Sequence, residues 1–217
     1  MDVLTAINER KSIRAFKPDP VPKETVEEIL RLSIRAPSAI NLQPWEFHVV
    51  MGEERERLSR RLIKAFREKQ IPCGPGTVKP LPKTYGKRGA KTLEGMKPFL
   101  EEMKVQSDLF INEGSCNFYG APAAILIFQD DSFSRGSTVD IGIVLGYFVL
   151  AAHSFGLGTC PIGLINAYAD EIKDLLTIPE NKNLIAGAAL GHPDWESPIN
   201  RFKSYREDLE KVVRWVE

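Results

Sequence analysis

Apolar residues recur at helical spacing at Val3, Ala6 and Ile7, which predicts a short first helix ending near Arg10. Asp19-Pro20-Val21-Pro22 breaks the chain, and Pro22 suits the first turn of a second helix. Val26, Ile29, Leu30 and Ile34 form the apolar stripe of that helix, which runs to Arg35 and is stopped by Pro37. Trp45 to Met51 reads as a strand, and Glu53 to Lys69 as a charged amphipathic helix with Leu58, Leu62, Ile63 and Phe66 inward. Ala123 to Gln129 and Leu184 to Leu190 are short continuous apolar runs, the mark of buried strands. Tyr168 to Leu176 reads as a short helix stopped by Pro179. Val212 to Val216, β-branched and aromatic, reads as a terminal strand.

Two stretches depart from this alternation. Residues 71–90 are rich in Pro and Gly and predict a long loop or lid, since long irregular segments in compact domains are often functional. From Lys79 to Lys104 there are seven basic residues against three acidic ones, which reads as a solvated basic face or, more sharply, as cover for an anionic ligand. From Ile141 to Ala169 there is no Asp, Glu, Lys or Arg. Length alone would permit a membrane span, but Gly156, Gly158 and Pro161 break the run, His153 sits inside it and no second span follows. It reads instead as a fully buried helix over about 139–155, then a turn and a strand-like segment. Gly142 and Gly146 allow a close backbone approach, and a partner subunit is one way to cover an all-round apolar helix.

The chain has 217 residues with 29 cationic and 29 anionic side chains. Zero net charge argues against a global field for nucleic acid or acidic membranes while leaving room for local basic pockets. A chain of this length buries roughly 70% of its unfolded surface, enough for a core without disulfides or metal. Cys73, Cys116 and Cys160 are odd in number and far apart, which reads as reduced thiols; with charges near the N-terminus and no Asn-x-Ser/Thr sequon, the expected compartment is the cytoplasm. No HExxH, GxSxG or GxGxxG occurs, and Gly158 and Gly163 have P-loop spacing but Leu164 and Ile165 follow where Lys and Ser/Thr are needed. His48, His153 and His192 are scattered, so no metal site is expected.

Four segments carry candidate chemistry, each with an ordinary structural reading beside it. Arg10-Lys11-Ser12-Ile13-Arg14, with Lys17, packs four cations into eight residues without an acid; Arg pairs bidentately with phosphate, though a solvated loop would look the same. Ala36-Pro37-Ser38-Ala39-Ile40-Asn41-Leu42-Gln43-Pro44-Trp45 offers small polar groups after a helix stop, as plain capping chemistry would. Gly156-Leu157-Gly158-Thr159-Cys160-Pro161-Ile162-Gly163-Leu164 lets backbone approach a ligand, or makes a tight connection. Leu190-Gly191-His192-Pro193 ends a strand, and Asn200-Arg201-Phe202-Lys203 brings cations soon after.

In this order and at these spacings the four segments resemble the nitroreductase family of FMN-dependent oxidoreductases, over nearly the whole chain and least over 70–115. The resemblance implies an α+β fold: a mainly antiparallel central sheet flanked by helices, in an intertwined homodimer. It implies one domain over 1–217, with a lid-like excursion at about 70–112 and a C-terminal tail at about 205–217 reaching the partner subunit. By position, Arg10, Ser12 and Arg201 would hold the FMN phosphate, with Lys11 adding main-chain contacts, and Arg14 would face the pyrimidine edge. Pro37, Ser38, Ala39 and Asn41 would come from the other subunit, and Pro161, Ile162, Gly163 and Leu164 would lie against the flavin, with a backbone N–H of Gly163 or Leu164 near N5. The implied activity passes a hydride from NADH or NADPH through FMN to a nitroaromatic, a quinone or a similar small electron acceptor, with no catalytic side chain, metal, nucleic acid or membrane. The alternatives are a reductive dehalogenase or flavin destructase of the same fold, the latter less like the Asn41 context, or a non-catalytic flavin-binding dimer.

Overall fold

The apolar run 123–129 becomes the central strand of the sheet, buried on both faces because helices cover both. A computed structural model describes residues 1–73 and 79–217. Its elements are α1 (Val3–Glu9), α2 (Lys23–Ser33), β1 (Glu46–Met51), α3 (Gly52–Lys69), α4 (Lys83–Glu102), α5 (Ser107–Cys116), β2 (Ala123–Asp130), α6 (Thr138–Ser154), β3 (Gly158–Ile162), α7 (Ala169–Leu176), β4 (Lys182–Gly191) and α8 (Leu209–Val212). The described strands form one antiparallel sheet in the order β1-β2-β4-β3. The fold is thus α+β, as the sequence implies.

Strand periodicity divides the core. Ala124, Leu126 and Phe128 of β2 face a cluster with Leu58 and Leu62 of α3, Cys116 of α5 and Ile172 of α7. Ala123 and Ile125 face the opposite cluster, with Val26 and Ile29 of α2 and Phe148, Val149 and Ala152 of α6. A third, smaller cluster packs Met96 and Leu100 of α4 against Ile199 and Phe202.

Three expectations need correction. The loop predicted over 71–90 ends early: Lys83 onward is helical, while 74–78 fall outside the described residues. Gly86 and Gly89 read as breakers, yet the Pro82 carbonyl accepts from the Tyr85 and Gly86 amides, and Met96 and Leu100 are buried, so packing overrides propensity. Further along α4, Gly95 has a local use: a Cβ there would lie 3.0 Å from the Phe202 ring.

The predicted terminal strand is absent from the protomer. Leu209–Val212 is a helical turn, and Trp215 and Val216 are 81% and 96% exposed. A strand needs a neighbouring ladder, and none reaches this segment.

Helix α6 is not buried all round. Asp140, Ile141, Val144, Phe148 and Ala152 face inward, but Val139 and Tyr147 are 65% and 43% exposed. Gly142 and Gly146 share that outer face, where an added Cβ would meet nothing within 4 Å. With its preceding turn, the helix (135–154) is long and apolar enough to cross a membrane by length and composition; here it packs on α2, β3 and β4.

Candidate functional site

Residues 10–17 leave α1 and run along the outer edge of β3 and on past the end of β4. Ser12 bridges Thr159 in parallel, the Ile13 amide donates to the Thr159 carbonyl at 2.9 Å, and Lys17 donates to the His192 carbonyl at 2.9 Å. Asn200, in the 3₁₀ turn Pro198–Arg201, clamps the segment from behind. Its side-chain oxygen accepts from the Arg14 amide at 2.8 Å, while its Nδ2 donates to the Ala15 and Asp194 carbonyls at 2.7 and 2.8 Å. Its own carbonyl accepts from Lys11 Nζ. Asn200 is 1% exposed and fully partnered, so it fixes the backbone from which the Arg10, Ser12 and Arg14 side chains project.

Those three side chains converge on Cys160 of β3, which feels the charges of Arg14 and Arg10 and a polar contact from Ser12. Burial dominates there and pushes the Cys160 thiol up, so it stays protonated at neutral pH. The Tyr119 hydroxyl lies 3.2 Å from Ser115 Oγ, and burial, ahead of Cys160, pushes it up to about 12. Arg10 is lowered from its ordinary value by burial first and by Arg206 second, and Lys11 by burial first and Lys203 second. Of the nearby acids, Glu207 pairs with Arg88 and Lys211 and Glu102 with Arg201, while Glu9 lines the same cleft as Arg10 and Lys11. Two pairs of like charges held together are a donor set suited to a phosphate, so these residues fit a phosphate-bearing cofactor.

Arg201 is placed differently from its cationic neighbours. It is half exposed, pairs with Glu102 and lies over the Phe99 ring at 5.6 Å. Sequence reasoning missed Arg206, Lys203 as a neighbour of Lys11, and Asn200 as a clamp. The only signal was that all three lie in one seven-residue stretch, seven to thirteen residues after the LGHP turn.

The end of β3 alternates. Ile162 and Leu164 are buried in the core, leaving only their backbone available to a ligand, while Pro161 and Gly163 face outward. A Cβ on Gly163 would meet nothing within 4 Å, so this turn is an open shelf.

Pro37, Ser38, Ala39 and Asn41 are not brought to this shelf. The Ala39 amide donates to Asp140 Oδ2 at 3.2 Å, at the N-terminal end of α6, and the Gln43 amide donates to Ser38 Oγ at 2.9 Å. Ile40, Asn41 and Gln43 have φ of 42°, 59° and 49°, a left-handed turn of residues that bear side chains. Arg10 and Lys11 instead border a cleft with His153 and Thr159, beyond the C-terminal end of α6. A helix of 17 residues is roughly 25 Å long, and the two groups sit at its opposite ends. That cleft holds about 180 Å³, below the roughly 300–1,000 Å³ of ordinary ligand pockets.

Among known proteins, the profile of the nitroreductase family matches residues 7–192. The chain belongs to the nitroreductase family. It is 31% identical over 215 residues to nitroreductase NfnB of Mycolicibacterium smegmatis, covering 96% of this chain and 90% of that one. It is 30% identical over 217 residues to the chloronitrobenzene nitroreductase of Comamonas testosteroni, covering 97% and 95%. The crystal structure of the FMN-dependent nitroreductase NfnB from Mycobacterium smegmatis in complex with NADPH superposes with a TM-score of 0.87 at 30% identity, covering 99% of this chain and 97% of that one. In this nitroreductase-family protein the cation pairs and the β3 shelf lie on one protomer, and the Ser38–Asn41 turn points away from them.

Proposed function

We propose that the protein is a cytoplasmic, homodimeric FMN-dependent oxidoreductase that takes a hydride from NADH or NADPH and passes it to nitroaromatics, quinones or similar electron-poor acceptors. The observation that carries this reading is the gathering of Arg10 with Arg206 and Lys11 with Lys203 alongside β3, on the protomer that also carries the Pro161–Gly163 shelf. Bound FMN supplies the two-electron exchange between donor and acceptor. The protein's share is orientation and charge. Arg10, Lys11, Ser12, Lys203 and Arg206 would hold the phosphate, with Arg201, paired with Glu102 in the protomer, in reach to join them. Arg14 would face the pyrimidine edge, where a cation would favour the reduced, anionic form. Pro161 and Gly163 form the shelf, and the Gly163 and Leu164 amides donate toward it. Cys160, 2% exposed and a neutral thiol, is left without a covalent role.

The dimer follows from what one protomer leaves incomplete. The Pro37–Asn41 turn lies at one end of α6 and the cation pairs at the other, so two antiparallel copies of α6, packed through Gly142 and Gly146, would bring one protomer's turn to the other's shelf. Among the described strands β1 pairs with β2 alone, leaving an edge beside a cleft of about 630 Å³ lined by Val26, Leu30, Phe47 and Val49. The exposed tail 205–217 would supply Val212, Trp215 and Val216 to such an edge on the partner. Helix α4 would act as the lid.

Anaerobic mixing of the FMN-loaded protein with NADH or NADPH tests the reading. Bleaching of the flavin that reverses on adding a nitroaromatic supports it. Protein that takes up no FMN, or FMN that neither nucleotide bleaches, would overturn it.

A further inference from the structure

The last turn of α4 is locally ill-chosen. It ends in Glu101 and Glu102, carboxylates at the C-terminal end of a helix, where the helix dipole disfavours them, and that turn carries no basic residue. Glu101 is answered within the helix by Lys97, one turn back at 3.8 Å. Glu102 is answered from across the fold, by Arg201.

That pair is not what holds α4 in place. Met96 and Leu100 are buried with Ile199 and Phe202, the Phe99 ring lies 6.2 Å from that of Phe202, and Arg88 meets Glu207 at 3.4 Å. Both members of the Glu102–Arg201 pair are more than half exposed, and an exposed ion pair shifts an equilibrium by at most about fivefold.

Arg201 is set beside the phosphate-binding cations by its backbone. The carbonyl of Asn200, the residue before it, accepts from Lys11 Nζ, while the Asn200 side chain binds the Arg14 amide and the Ala15 carbonyl. The chain is therefore fixed at this point, and only the Arg201 side chain has to turn, from its place over the Phe99 ring, to share a ligand with Lys11. A charge-assisted hydrogen bond to a phosphate is worth roughly ten- to a hundredfold, more than the pair it replaces.

We propose that Glu102 is a stand-in for the FMN phosphate: it occupies Arg201 before the cofactor binds, yields it when the phosphate arrives, and so holds down the affinity for the phosphorylated flavin alone. This rests on the reading of the site as an FMN site that Arg201 joins.

The test is fluorescence titration with FMN and with riboflavin, which lacks the phosphate, with circular dichroism as the check on folding. Glu102→Gln keeps the shape and removes the competing charge. FMN affinity should rise about threefold, the scale of an exposed ion pair, with riboflavin affinity unchanged. Arg201→Gln should lower FMN affinity about tenfold. Adding Glu102→Gln to Arg201→Gln should change nothing more, because a competitor acts only through the group it competes for. If Glu102→Gln fails to raise FMN affinity, raises it equally for riboflavin, or adds to the effect of Arg201→Gln, the Glu102 inference fails and the FMN site stands. If Arg201→Gln leaves FMN affinity unchanged, the assignment of Arg201 fails and takes this inference with it, while bleaching of the FMN-loaded protein by NADH or NADPH still decides the proposed function.

Discussion

The two ends of α6 carry the two halves of the candidate site, and they are built in opposite ways. At the C-terminal end, residues 10–17 are stitched to Thr159, His192 and Asn200 by backbone and buried side-chain hydrogen bonds. At the N-terminal end, the turn around Ile40 is left-handed at three residues, is exposed, and is tied to the rest of the fold by the Ala39–Asp140 hydrogen bond. The first is a bed whose shape is set before any ligand arrives. The second is an arm whose strain has no return inside its own protomer. Backbone strain at side-chain-bearing residues persists where something over-determines it, and the arm's proposed place against a second copy supplies that reason.

Substitutions at each end would separate bed from arm. The largest expected effect is on assembly: Gly146→Leu, on the open face of α6, should convert dimer to monomer in size-exclusion chromatography while circular dichroism stays unchanged. A dimer that survives would place the interface elsewhere. Asn200→Ala strikes the bed. It removes three side-chain hydrogen bonds at a buried site, each worth about 1 kcal/mol, so stability measured by urea unfolding should fall by about 3 kcal/mol. Arg10→Ala removes one charge-assisted contact of about 1.5–3 kcal/mol, and FMN affinity by fluorescence titration should drop at least tenfold. Asp140→Ala strikes the arm by freeing the Ala39 amide. FMN affinity should fall by less than in Arg10→Ala, and Asp140→Asn, which keeps an acceptor oxygen, should recover most of it. Cys160→Ala should be the mildest, with most NAD(P)H-dependent turnover retained. Near-total loss with FMN still bound would give the thiol a chemical role that its buried, protonated state argues against.

How much of this was legible in the sequence differs between elements for physical reasons. Strands β2 and β4 could be read because burial on both faces demands continuous apolar runs. α6 was readable as a helix, but its periodicity could not say which face the protomer would leave open, since its middle, 141–152, carries no charged residue on any side. α4 was hidden because Gly86, Gly89 and Pro98 look like breakers in a local window, while its stability comes from Met96 and Leu100 packing on Ile199 and Phe202. Arg10, Lys11, Ser12 and Arg14 were legible as a cluster because they are contiguous. Arg206 and Asn200 were not, because each joins them from well over a hundred residues away in the chain.

By itself the sequence determined the α+β class, the burial of β2 and β4, and the presence of a local cationic segment in a chain of zero net charge. Apolar runs, breakers and charge are local properties, and they act over a few residues. Only the tertiary structure decided that Arg206 rather than Arg201 stands beside Arg10, that Ile162 and Leu164 turn inward, and that the Ser38–Asn41 turn lies at the far end of α6 from the cations it was expected to join. Those choices depend on which distant segments meet, and packing, not local preference, sets that.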